Sequence, residues 1–311
     1  MTSSTTPSDA CTFTRSDEWF TSDGLRCAAA VYRPEADRPT TPAIVMAHGF
    51  GTPRALGLYR YAEAFAQAGY IVVVFDYRFF GESEGEPRQL LSVKRQLEDW
   101  RQAIRFTRSL EGVDPTRIIG WGTSFAGGHV LTLAGEGEKL AAVIAQVPHV
   151  SGPAAVRSVG LKAVLRIAPV AAADLVSSVL GREPHYIDSV GNPGDVAIMT
   201  SPDAMDGKDR LVATSGVVPG VYPENVAARI GAWIGFYSPG RKAGRIACPT
   251  LVQIMTKDAI TPAATATKVA LKIPEVSIKI HEGNHFDPYV DPSFPSIIAE
   301  QLEFLNSKVP L

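Results

Sequence analysis

An α/β fold, with a mostly parallel central sheet, helices on both faces and an inserted, largely helical cap, is predicted by three features of this 311-residue sequence. Short, wholly apolar runs alternate with stretches of helical periodicity, the pattern of parallel strands joined by crossover helices. A crowd of small residues, Gly122-Thr123-Ser124-Phe125-Ala126-Gly127-Gly128, stands where one apolar run gives way to a helix. About a hundred residues then pass before the next clear strand, where a crossover needs roughly a dozen. The surplus has to be an insertion.

The elements follow in order. Runs 13–20 and 25–32 read as two strands joined by the turn Ser22-Asp23-Gly24, and 34–42 is a proline-rich connection. Residues 43–47 are apolar throughout, as in a strand buried on both faces. A helix is predicted over 58–68, stopped by Gly69, and a second buried strand over 70–75 ends at Asp76. Ser92 can cap a helix whose apolar face is Val93, Leu97, Trp100 and Ile104. Strand 117–121 leads into the Ser124 turn, followed by a helix over 129–134 and a strand over 141–147. In such sheets chemistry gathers in loops at the carboxyl ends of the strands.

Beyond this point 154–180 reads as a helical pair interrupted at Pro169, 184–223 as loop, and 224–237 as the crossover helix returning the chain. Strands 250–255 and 276–280 and a closing helix over 295–306 complete the sheet. The expected division is a core of 12–150 and 222–311, a cap of 151–221, and a flexible N-terminal tail of 1–11. An elaborated surface loop without a substrate role is the alternative reading of the insertion. The tail is polar and lacks the basic start and apolar core of a secretion signal.

Composition narrows the function classes. A hydrophobic content of 45% and a charged fraction of 20% fit a globular chain with a sizeable core. A net charge of -2 gives no reason to expect nucleic acid or an anionic membrane surface as partner. The most apolar long segment, 161–180, is broken by Lys162, Arg166, Pro169 and Asp174, which argues against a membrane span. Cys11, Cys27 and Cys248 are scattered and show no metal-binding spacing, so they read as reduced thiols of a cytoplasmic protein. A homo-oligomer is left open.

The small residues around Ser124 match the strand-to-helix turn called a nucleophile elbow, in which bulky neighbours would collide with the adjoining elements. The usual pattern is G-x-S-x-G, and Ala126 takes its last position. A serine hydroxyl needs a histidine to receive its proton and a carboxylate to orient that histidine. Of six histidines, His48 suits an oxyanion loop, His129 lies a turn beyond Ser124 on the same helix, His149 ends a strand and His185 lies in the cap. His285, in the loop after the last strand, is favoured as base over His281, which closes that strand. Asp258, just past strand 250–255, is favoured as the acid over Asp287, Asp291 and Asp76; Asp76 is expected to pair with Arg78 or cap a turn. The order Ser124, Asp258, His285 is the one an elbow-type triad follows. Two N–H groups, of Phe50 in His48-Gly49-Phe50-Gly51 and of Phe125 after the serine, are the expected oxyanion donors.

With these motifs, together with Asp76-Tyr77-Arg78, Gly81-Glu82-Ser83 and Gly283-Asn284-His285-Phe286, the chain resembles an α/β-hydrolase. The similarity is to the bacterial branch that includes acetyl-xylan-esterase-like and dienelactone-hydrolase-like proteins, over roughly 13–150 and 248–311. Ala126 and the bulky Phe80 depart from it. The resemblance implies a serine hydrolase acting on a small-molecule ester or lactone, without cofactor or metal. Amidase, thioesterase or acyltransferase activity from the same machinery, or an inactive binding protein, are the alternatives. In the cap, Leu161 and Leu165, with Val164, Ile167 and Val170, near the aromatic candidates Tyr186 and Tyr222, suggest an apolar acyl or ring pocket; plain core packing is the alternative.

Overall fold

The structure, a computed structural model, describes residues 11–35 and 38–311. Strands β1 (Phe13–Ser22) and β2 (Leu25–Pro34) pair antiparallel. Their turn residues Asp23 and Gly24 have φ of 50° and 81°, the left-handed pair that a two-residue hairpin of type I′ requires. Residues 1–10 of the expected tail lie outside the described residues. Cys11 does not belong to a loose tail, because its N–H donates to Gln67 O at 2.9 Å and its thiol to Glu35 O at 3.3 Å.

The chain continues through β3 (Thr41–Ala47), α1 (Leu58–Gln67), β4 (Ile71–Phe75), α2 (Val93–Ser109), β5 (Val113–Thr123), α3 (Phe125–Gly135) and β6 (Ala142–Gln146). Ser92 stands before α2, but its side chain makes no capping hydrogen bond. The insertion then supplies α4 (Gly152–Val179), β7 (Tyr186–Val190), β8 (Ala197–Met199), α5 (Ala204–Thr214), β9 (Asn225–Ala227) and the short α6 (Ile230–Trp233). Strand β10 (Thr250–Met255), α7 (Ala263–Ala270), β11 (Val276–His281) and α8 (Phe294–Lys308) close the fold.

The main sheet has eight strands in the order β1-β2-β4-β3-β5-β6-β10-β11. Strand β2 runs against both of its neighbours, and the pairs from β4 to β11 are parallel. Side chains alternate between the two faces. Val45, Val73 and Ile118 join Trp100, Ile104 and Leu131 on one side. Ile44, Val72 and Ile119 join Tyr61, Phe65, Ile297 and Leu305 on the other. Both faces are therefore covered, which is why β3, β4, β6 and β10 are buried at every position and read as largely apolar runs.

The insertion departs from expectation in three places. Helix α4 runs through Pro169 and breaks at Gly160 instead, where φ is 81° and ψ 161°. Proline frees the carbonyl of residue 165, but Leu165 and Pro169 are both solvent-exposed, so water can satisfy it. Segment 184–223 is not all loop, since β7 pairs with β8 in parallel and with β9 antiparallel in a small sheet. Segment 224–237 is not one helix but β9, α6 and a 3-10 turn at Ile234–Phe236. Glycines explain the interruption: a Cβ at Gly231 would lie 2.7 Å from Ile167 Cγ2 on α4, and glycine lowers helix propensity. Strand β9 joins the small sheet of the insertion, and it also touches the core, since Ala227 N–H donates to Gln89 O and Gln89 Nε2 donates to Asn225 O. Among the described residues no helix is long and apolar enough to cross a membrane.

Candidate active site

Ser124 links β5 to α3 with φ 54° and ψ -116°, a conformation that costs a non-glycine residue about 1–3 kcal/mol. Its neighbours hold it there. Its N–H donates to Gln146 O at 2.9 Å, and its carbonyl accepts from His149 N at 2.8 Å. A Cβ on Gly122 would lie 2.3 Å from Ala126 O, and one on Gly128 2.4 Å from His149 O. The demand for glycine falls on these two positions. At 126 an alanine methyl is accommodated, fully buried, so the departure from G-x-S-x-G is a substitution the turn tolerates.

The structure brings Ser124, His285 and Asp258 together. His285 Nε2 is 2.9 Å from Ser124 Oγ, and His285 Nδ1 is 2.7 Å from Asp258 Oδ2. Asp258 follows β10, and His285 lies in the loop after β11. The carboxylate is held from its own turn: Oδ1 accepts from the N–H groups of Ile260 (2.9 Å) and Thr261 (2.7 Å), and Oδ2 from the Thr261 hydroxyl (2.7 Å). With Nδ1–H donated to a carboxylate, Nε2 presents its lone pair to the serine hydroxyl. Thr261 was not anticipated. The Asp-x-x-Thr spacing of 258 and 261, a common way for an aspartate to bond the turn that follows it, was the available signal.

The rivals are engaged elsewhere. His281 Nε2 bonds Glu300 at 2.9 Å, Asp287 accepts from Arg210 at 2.8 Å, and Asp291 accepts from Arg60 at 3.0 Å. Asp76 does not pair with Arg78. It pairs with the buried Arg54, while Arg78 takes Asp99. His129 sits between Tyr237 Oη (2.7 Å) and Gln96 Oε1 (2.9 Å), and burial pushes its pKa down to about 3.

The loop after β3 presses against the nucleophile: a Cβ on Gly49 would sit 3.1 Å from Ser124 Cβ. Phe50 and Phe125 meet edge to face with centroids 5.5 Å apart. Among the described residues neither of their N–H groups has a protein acceptor. His48 is buried, with Nδ1 3.0 Å from Gly49 O, and burial pushes its pKa down to about 4. It is neutral near pH 7 and belongs to the loop's framework.

Two spaces open beside Ser124. The larger, about 570 Å³, borders Phe50, Phe125 and His149 and is walled by the insertion, including Val156, Val164, Ile167, Leu175, Ile198 and Phe236. The smaller, about 40 Å³, borders Ser124 and His285 together with His48. Of the cap candidates, Val164 and Ile167 line the large cavity. Leu161 and Leu165 do not; they are 73% and 63% exposed on the outer side of α4. Tyr186 lies outside it too, its hydroxyl donating to Arg88 O at 3.1 Å, and Tyr222 borders a separate depression beside Lys208. Apolar content alone could not say which side of α4 faces inward.

Residues 23–207 match the family model described as X-Pro dipeptidyl-peptidase (S15 family). The chain belongs to this family. It is 40% identical over 295 residues to the quorum-quenching protein AidA of Acinetobacter baumannii, covering 95% of both chains. The thiohydrolase aneE of Aspergillus aculeatus is 37% identical over 131 residues, 42% of this chain and 40% of that one. The solved α/β-hydrolase GrgF from Penicillium sp. sh18 superposes with a TM-score of 0.79 over 96% of this chain and 100% of its own, at 24% identity. This S15 member therefore has the α/β-hydrolase fold and belongs among the serine hydrolases. A hydroxyl, a base and an orienting carboxylate in hydrogen-bonded series can perform nucleophilic acyl chemistry.

Proposed function

We propose that this S15 member cleaves a carboxylic ester or lactone through an acyl-enzyme on Ser124. The observation that carries the reading is the unbroken series from Ser124 Oγ through His285 to Asp258, at 2.9 and 2.7 Å, facing an apolar cavity. His285 takes the hydroxyl proton as Oγ attacks the carbonyl carbon, and Asp258 stabilises the imidazolium. The N–H groups of Phe50 and Phe125 receive the oxyanion. On collapse His285 returns the proton to the departing alkoxide, and a water repeats the sequence to free the acid. In a lactone the leaving alcohol stays tethered to the acyl group. The segment 151–221 acts as a cap over the substrate.

The quorum-quenching role named for the A. baumannii relative is one that hydrolysis of a small ester or lactone would fulfil. A thioester is the second candidate bond, supported by the thiohydrolase name of the A. aculeatus relative. Matched oxygen esters and thioesters with one acyl group separate the two. The primary test is labelling by a fluorophosphonate probe, with hydrolysis of p-nitrophenyl esters and a lactone panel. Labelling that disappears in Ser124→Ala, with turnover of one bond class, is expected. Labelling that persists in that variant would overturn the assignment.

A further inference from the structure

His149 is a buried titratable group that the reaction above does not use. It follows β6, is 5% exposed, and borders the large cavity beside Ser124. Its ring lies parallel to Tyr237 with centroids 5.7 Å apart at 15°, and 5.3 Å from the Phe125 ring. Nε2 is 3.3 Å from Tyr237 O. A carbonyl can only accept, so Nε2 carries the proton and Nδ1 bears the lone pair. Burial pushes the pKa down to about 4, which keeps the ring neutral near pH 7. Among the described residues Nδ1 has no hydrogen-bond partner.

The other polar groups around this cavity impose no such sign. Ser158 donates to Ala259 O and Thr261 to Asp258. The Thr200 hydroxyl and the unpartnered Ser201 hydroxyl rotate and serve either a donor or an acceptor. His149 Nδ1 accepts only.

We propose that His149 is a specificity residue, and that the preferred substrate carries an N–H or O–H donor in its acyl part, near the scissile carbonyl, ahead of an apolar tail. The inference rests on Ser124 being the acylated nucleophile. The acyl part is assigned to the large cavity because the leaving group must depart toward the histidine that protonates it. His285 borders the small space and not the large one. Hydroxyacyl and N-acylaminoacyl esters fit this description, and simple alkanoyl esters leave the acceptor unpaired.

The test compares p-nitrophenyl esters of equal acyl length: plain alkanoyl, 2-hydroxyacyl, 3-hydroxyacyl and N-acylglycyl. In the wild type at least one donor-bearing ester should exceed the alkanoyl ester in kcat/KM by about tenfold or more, the scale on which stranding a buried acceptor is felt. In His149→Phe, which keeps an aromatic ring against Tyr237, that ratio should fall to near one, and His149→Gln, with an amide oxygen able to accept, should restore part of it. Because the ratio is taken within each variant, a general loss of activity cancels. Equal rates for all four esters in the wild type would overturn the proposal, as would a preference that survives in His149→Phe. Absence of both ester turnover and Ser124 labelling would overturn the underlying reading instead, and the inference with it.

Discussion

The core sheet and the insertion place their residues by different means. Each member of the Ser124–His285–Asp258 series stands just past a core strand: Ser124 and Asp258 follow the buried β5 and β10, and His285 follows the half-buried edge strand β11. A carboxylate held by two backbone N–H groups and a hydroxyl has little freedom to move. The cap wall is built from one long helix broken at Gly160, a three-stranded sheet and short turns. Under the proposed function, the core fixes the position of the reacting atoms, and the insertion shapes the space the substrate fills. Changes in the first region should affect rate, and changes in the second selectivity.

The largest expected effect breaks the core series. Ser124→Ala or His285→Ala should lower kcat by about four to six orders of magnitude, and Asp258→Asn by somewhat less. His281→Ala, which removes only a partner of Glu300, should leave kcat nearly intact. Steady-state kinetics on one ester decides the ranking, and a larger loss at His281 would assign the base to the wrong histidine.

The elbow backbone comes next. Gly122→Ala puts a methyl group where Ala126 O already lies, so folded yield and melting temperature should drop along with activity. Wild-type stability in that variant would mean the turn can open.

The third effect concerns protons. Burial holds His48, His129 and His149 at about 4, 3 and 4, below their ordinary 6.5. The unfolded chain then binds more protons than the folded one below pH 6.5. The stability from keeping these rings neutral is complete above that pH and is lost as pH falls toward 4. Thermal scans from pH 7 to 4 should show a falling Tm, shallower in a His129→Gln variant that folds. A flat profile would mean the rings are solvated.

The smallest effects sharpen the difference within the cap itself. Val164→Trp, on the cavity wall, should shift the preferred acyl length toward shorter chains by about tenfold in kcat/KM, within the range that hydrophobic pocket changes reach. Leu161→Ser and Leu165→Ser, on the outer side of the same helix, should change it by less than about twofold, as surface substitutions generally do. A profile altered equally by Leu165→Ser would mean that α4 turns over when substrate binds.

Much of the core was legible because its physics is local and repetitive. A strand covered on both faces must be largely apolar; 43–47 and 70–75 display that directly, and 250–255 does so apart from Thr250 and the hydrogen-bonded Gln253. Ser124 and Asp258 were findable because each follows such a run, and His285 because it lies in the loop after the last strand, although that strand, β11, is only half-buried. Partners chosen across space were not. Arg54 is fully buried against Asp76, and nothing in a glycine-rich loop announces a buried arginine, a residue usually exposed. In the cap, short strands with mixed burial such as β7 lack the continuous apolar signature. Gly160 rather than Pro169 broke α4 because the proline lies where water can replace its missing partner. Assigning Leu161 and Leu165 to the pocket failed for a related reason: composition marks a helix as apolar without fixing which side is covered.

Rapid-quench mass spectrometry of the protein mixed with an accepted p-nitrophenyl ester tests the central claim most directly. The expected result is a transient mass increase equal to the acyl group, mapped to the peptide bearing Ser124 and absent from Ser124→Ala. Turnover at the same rate with the acyl group on another residue, or undiminished in Ser124→Ala, would contradict it.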